Sequence, residues 1–301
     1  MYGLSVKIAV TSMIAVSMIP TVRAGHFDMP PLVSAPRMVA AKPGQLAVSP
    51  SGDWVAVTDR FNNSIHILNT SGDPLWSVGE GVSLAQPTAI VFVSDRELVF
   101  SQWDSRILFR VTEDNPKAID TVIDLSEALG SKAHVVRIYR LRDRRFLVLT
   151  ENPDRLMRFD SEWKQPRVLI DGGSGKGKLG HATSCAEMAS GKLVVTGNSL
   201  CPVQFFDPQG KPLLAADWNN PTPTGGWLAA AVAIDLRDFV WVADASRLQC
   251  RVYDQTGTLL REMPLPIAAL RPVDMTVTSD NRLFVVSDNG RLEIYDLNRE
   301  L

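Results

Sequence analysis

The chain has 301 residues, 45% of them hydrophobic, with 20 Gly, 19 Pro and only three Cys. That is enough apolar material for a large core and too little charge for a disordered chain, and no Gly-X-Y period points to collagen. The formal net charge is −2, so the basic stripe on which nucleic-acid binding rests is absent.

Residues 1–24 read as a secretory signal. Met1 to Lys7 carries one positive charge, Ile8 to Pro20 is apolar, and Val22-Arg23-Ala24 offers small side chains where a signal peptidase cuts. The apolar run has 13 residues, short of the ~20 that span a bilayer as a helix. The expected mature chain, residues 25–301, is one domain without a membrane span, periplasmic or secreted, in a compartment where disulfides persist.

From there one pattern recurs. An aliphatic or aromatic residue precedes Asp or Asn at Leu68-Asn69, Phe159-Asp160, Phe206-Asp207, Tyr253-Asp254 and Tyr295-Asp296, with a degenerate copy at Val111-Thr112. Successive copies lie 42 to 48 residues apart, the period of four-stranded propeller blades. Asn69-Thr-Ser-Gly72, Asp207-Pro-Gln-Gly210 and Asp254-Gln-Thr-Gly257 read as turns, the first side chain capping and Gly taking positive φ. Upstream lie short apolar strands such as Trp54 to Val57, Phe146 to Leu149 and Leu283 to Val286, too short for helices and rich in β-branched or aromatic residues. Each unit therefore reads as four strands. The fold class is all-β, a six-bladed β-propeller.

The last copy lacks an outer strand after Tyr295-Asp296, whereas Arg37-Met38-Val39-Ala40-Ala41 is a strand without a blade. The N-terminal strand is expected to complete the last blade and close the ring.

Third strands open with Arg or a small polar residue after an acid: Asp59…Ser64-Ile65, Asp104-Ser-Arg106-Ile107, Glu151…Arg155-Leu156, Asp244…Arg247-Leu248 and Asp288…Arg291-Leu292. The resulting run, V-A-D-x-x-R-L-x-x-Y-D-x-x-G, resembles NHL-repeat six-bladed β-propellers over nearly the whole mature chain. Blade four departs from the pattern, with Asn198-Ser-Leu-Cys201-Pro202 in place of the basic residue. That architecture hosts binding scaffolds, lactonases and lyases alike. The repeated acids Asp59, Glu151, Asp244 and Asp288 read as loop-fixing groups, with a local ion pair to Arg in three blades, because symmetric repetition across blades is what a folding device produces and a single active site does not.

Residues just before the innermost strands surround one mouth of the channel: Lys42, Gln86, His134, His181, Trp227 and Arg271. These are the candidate ligand-binding positions. His134 and His181 fall at equivalent places in adjacent blades, as a histidine-held divalent metal or a general base requires; a third ligand would come from Glu187, Asp235 or Asp274. Lys42, Arg271 and Trp227 can instead attract an anionic or aromatic group.

Cys185 and Cys201 are expected at one end of the blade-four sheet, where loop displacement would let them form a disulfide; Cys250 is left as a buried thiol. No Walker loop, G-x-S-x-G elbow, H-E-x-x-H or Rossmann fingerprint occurs. Two readings follow. One is an exported scaffold that binds a protein partner or small ligand on one face of the disc, without a cofactor. The other is a metal-dependent lactonase, hydrolase or lyase working at the channel mouth.

Overall fold

Each repeat unit closes on itself as one antiparallel sheet. The structure, a computed structural model, describes residues 25–26, 28–129, 132–197, 201–215, 228–265 and 271–299. Blade one comprises Pro43–Val48, Trp54–Asp59, Ser64–Asn69 and Pro74–Val78, and blade two Pro87–Ser94, Glu97–Gln102, Ile107–Thr112 and Asn115–Asp124. Blade three comprises His134–Arg140, Phe146–Glu151, Arg155–Phe159 and Arg167–Asp171, and blade four Ala182–Glu187, Leu193–Gly197, Val203–Phe206 and Pro212–Ala215. Blade five holds Ala229–Ile234, Val240–Asp244, Gln249–Tyr253 and Leu259–Pro264; blade six holds Pro272–Val277, Arg282–Ser287 and Arg291–Asp296. The single short helix among the described residues, Ser126–Leu129, leads into blade three, and no helix is long and apolar enough to cross a membrane.

The predicted turns form as read. In the first, Ser71 N donates to Asn69 Oδ1 at 2.9 Å and Gly72 N to Asn69 O at 2.9 Å. Gly210 and Gly257 close the equivalent turns on Asp207 and Asp254.

Inner strands contact one another in the cyclic order of the blades, and the last touches the first. Twisted sheets stacked in this way bury both faces. Accordingly, an apolar cluster fills each gap between neighbours, including Leu46, Val55 and Val57 of blade one against Phe284, Val286 and Ile294 of blade six. Trp163 stacks on Phe146 at 4.0 Å and Trp241 is wholly buried, so both serve blade packing. This is a six-bladed β-propeller.

The N-terminal segment closes it. Arg37–Met38 pairs antiparallel with Leu292 and Arg291 at the outer edge of blade six. Upstream, Val33 N donates to Ile294 O at 2.8 Å and Asp296 N to Pro31 O at 2.9 Å. A contact the sequence pattern does not show precedes these: Gly25–His26 runs parallel to Arg261 and Glu262, adding a fifth strand to blade five.

The expected disulfide is not formed. Cys185, Cys201 and Cys250 are buried thiols. Cys185 is the fourth residue of its strand, not the first; it pairs with Val195, which in turn pairs with Gln204. Cys201 is therefore two strands away and three residues further along. Strand spacing of ~4.8 Å and a rise of ~3.3 Å per residue place it well beyond disulfide reach.

Every inner strand also carries a register break near its first end, at Pro43/Leu46, Pro87/Ile90, Val135/Arg137, Ala182/Ser184, Ala229/Ala231 and Pro272/Asp274. Such bulges re-aim side chains, here at the rim of the channel.

Candidate functional site

The inner strands all begin on one face of the disc, the first face, and end on the second. On the first face, two of the four repeated acids, Asp59 and Asp244, fix loops as their repetition suggests. Asp59 accepts from the backbone N–H groups of Ala41 (2.7 Å), Lys42 (3.1 Å), Phe61 (3.0 Å) and Asn62 (3.2 Å), and from Asn62 Nδ2 (2.8 Å). Burial alone would raise this carboxyl, but the donors outweigh it and hold the group below its ordinary value. Asp244 likewise gathers Leu228, Ser246 and Arg247. The expected pairing to arginines takes another form: Arg106, Arg155 and Arg291 reach sideways to Ser126, Asp171 and Glu293.

The predicted mouth residues divide. Lys42, Gln86, His181 and Arg271 are exposed. Gln86 (φ 45) and His181 (φ 47) are held in the left-handed region by side chains of the preceding blade, Gln86 N donating to Asn63 Oδ1 at 2.8 Å and His181 N to Asp154 Oδ2 at 2.6 Å. Arg271 contributes its carbonyl to Asp288 N at 2.8 Å. Trp227 lies outside the described residues.

His134 is different. It is 9% exposed and starts its strand opposite Glu151. Nε2 donates to Glu151 Oε2 at 3.1 Å, while Nδ1 lies 3.7 Å from Asp104 Oδ1. Trp103, in the corresponding loop of blade two, is 48% exposed, with its ring centroid 6.1 Å from that of His134. Over Trp103 sits Arg60 of blade one, its Cζ 4.0 Å from the ring centroid. Three adjacent blades thus supply a cation, an aromatic ring and a carboxylate-held imidazole to one side of the mouth.

Sequence reasoning picked out His134 and Glu151 but not Arg60 or Trp103. The available signal was Arg60-Phe61 and Trp103-Asp104 at matching positions after the second strands of neighbouring blades, large residues where blade five has Ala245 and Ser246.

The structure does not bring the two histidines into contact with each other. No hydrogen bond or ring contact joins them among the described residues, and there no three His, Cys, Asp or Glu side chains converge as a metal site. The suggested third ligands are engaged elsewhere. Glu187 and Asp235 stand on the second face, Glu187 accepting from Arg142 N at 2.7 Å and Asp235 from Trp241 Nε1 at 3.2 Å. Asp274 accepts from Leu46 N at 2.7 Å inside the channel. Glu187 belongs to a series of inter-blade staples with Ser51–Asp95, Ala189–Asp238 and Leu236–Asn281.

Beneath the second face lies a cavity of about 390 Å³ along the channel, reaching inward to Gln45 and Asp274 and lined near its mouth by Arg140, Arg142 and Glu187.

No family model matches the chain, and no curated protein matches it by sequence. Solved structures share its fold. Virginiamycin B lyase from Staphylococcus aureus superposes with a TM-score of 0.59 at 17% identity, over 86% of each chain. A calcium-binding regucalcin from Agrobacterium tumefaciens gives 0.64 at 12% identity, covering 85% of this chain and 90% of that one. A gluconolactonase from Xanthomonas campestris gives 0.65 at 15% identity, covering 89% and 94%. At such identities the likeness is one of fold.

Proposed function

We propose that this chain is an exported six-bladed propeller whose first-face mouth binds a small planar ligand. The observation that carries the reading is the Arg60–Trp103–His134 arrangement, in which side chains from three blades meet at a half-exposed indole. Export rests on the character of residues 1–24. A half-exposed indole beside a partly desolvated guanidinium favours a flat ring, and the His134–Glu151 pair, its imidazole buried and its carboxylate open to solvent, supplies directional polar contacts. Binding of coumarin and coumarin-3-carboxylate, followed by isothermal titration calorimetry, tests this: at least one binds saturably, and Trp103→Ala weakens it about tenfold or more. Failure of both to bind would remove the reading.

A second reading, hydrolysis or elimination at the same mouth, is favoured by the 3.1 Å His134–Glu151 hydrogen bond, the geometry that orients an imidazole for proton transfer. A lyase and a gluconolactonase stand among the structures of this fold. Turnover of dihydrocoumarin that vanishes in both His134→Gln and Glu151→Gln would support it. If the reaction is metal-dependent, purified protein carries about one equivalent of divalent ion per chain and His134→Ala/His181→Ala loses it.

A further inference from the structure

We propose that the first-face mouth is specific for a carboxylate, seated between the guanidinium groups of Arg60 and Arg137 while the attached ring lies against Trp103. The proposal deepens the binding reading above and rests on it.

Arg137 belongs to the inner strand of blade three, just past its register break. Its charge is felt by Arg60, which comes from a blade-one loop, and by Asp274, on the inner strand of blade six. The strand of Arg137 begins at His134, whose ring centroid lies 6.1 Å from that of Trp103, the ring over which Arg60 sits, so both arginines belong to the first-face mouth.

Both cations are underserved. The Nε atoms of Arg60 and Arg137 are buried and make no hydrogen bond. Arg137 Nη1 donates only to the neighbouring Val136 carbonyl, at 3.2 Å. Neither residue forms an ion pair among the described residues. Asp59 is saturated by five N–H donors, and Glu151 is engaged by His134. Asp274, the acid near Arg137, is pushed up by burial toward its neutral form, which leaves the arginine charge less compensated.

Two cations at one mouth, each with a buried N–H donor that finds no partner, form an unfavourable arrangement that an anion relieves. Guanidinium donors match the planar, two-oxygen geometry of a carboxylate. Burial, and then repulsion from Arg137, already lower the affinity of Arg60 for its proton, the direction that uncompensated positive charge produces.

The test compares coumarin-3-carboxylate with uncharged coumarin, which has the same ring system. The proposal expects the carboxylate to bind at least about tenfold more tightly and to weaken as salt is added. Arg137→Gln lowers the affinity for the carboxylate to that for coumarin, and Arg60→Gln weakens the carboxylate by a larger factor than it weakens coumarin. Should Arg137→Gln fail to fold, Arg60→Gln and the salt series carry the test. Equal affinity for the two probes, unchanged in Arg60→Gln, overturns the carboxylate site and leaves the binding reading standing. Binding of neither probe overturns both.

Discussion

Gln45 of blade one bridges the channel to Ile138 of blade three. Its Nε2 donates to the Ile138 carbonyl at 2.7 Å, and its Oε1 accepts from Ile138 N at 3.2 Å and Ile90 N at 3.0 Å. Inner strands face the channel with an unpaired edge, which must find partners when buried. One side chain, 2% exposed, satisfies that edge on two other blades. Replacing it with Leu leaves those groups unpaired, and we expect a loss of about 2–3 kcal/mol in unfolding free energy, measured by urea denaturation. A change under about 0.5 kcal/mol would show that water fully replaces the amide.

Asp59 predicts an acid-dependent weakness. Its folded pKa lies below the unfolded value, so the unfolded chain takes up a proton first. The corresponding stability is present above the unfolded value of about 3.9 and lost as pH falls through the folded value. Asp59→Asn should therefore be less stable than wild type at neutral pH and show a shallower loss between about pH 5 and 3. Parallel pH profiles for the two proteins would contradict this assignment.

Asp274 has the opposite sign. Burial raises it, against the charge of Arg137 and the N–H groups of Leu46 and Met275. Its favourable contribution is complete below the unfolded value and lost as pH rises through the folded one. Asp274→Asn keeps an acceptor for Leu46 N, so stability relative to wild type should improve from about pH 4 to pH 7. A deficit of equal size at both pH values would refute the assignment.

Gly290 is where the closing segment passes the last blade. Its φ is +86°, and a Cβ there would lie 1.5 Å from the Ala40 carbonyl oxygen; its own carbonyl accepts from Val39 N at 2.9 Å. Gly290→Ala combines backbone strain with displacement of the segment, and we expect destabilisation of about 2 kcal/mol or more with faster proteolysis before residue 42. An unchanged melting temperature and digestion pattern would mean that the segment closes the ring without this contact.

Architecture was legible because the propeller repeats it. A hydrophobic residue followed by Asp or Asn recurs in five of the six blades, with a degenerate copy at Val111-Thr112 in the other, and the surplus Arg37 strand answers the missing edge after Tyr295. Spacing alone could not reveal what depends on register. The break between Ala182 and Ser184, and the true start of the strand at Ala182, shift Cys185 away from Cys201. The site was legible only in part for a related reason. His134 could be placed at the mouth by counting, but Arg60 meets Trp103, and Trp103 meets His134, only when three blades are wrapped around an axis. Gln45 and Arg137 act across the channel between residues far apart in the chain, and no local pattern announces that.

The most direct test of a first-face binding site is a crystal structure of the protein with coumarin-3-carboxylate. We predict the ring against Trp103 within reach of His134 and the carboxylate directed at Arg60 and Arg137. A ligand lodged instead in the second-face cavity, between Asp274 and Arg142, would contradict the assignment.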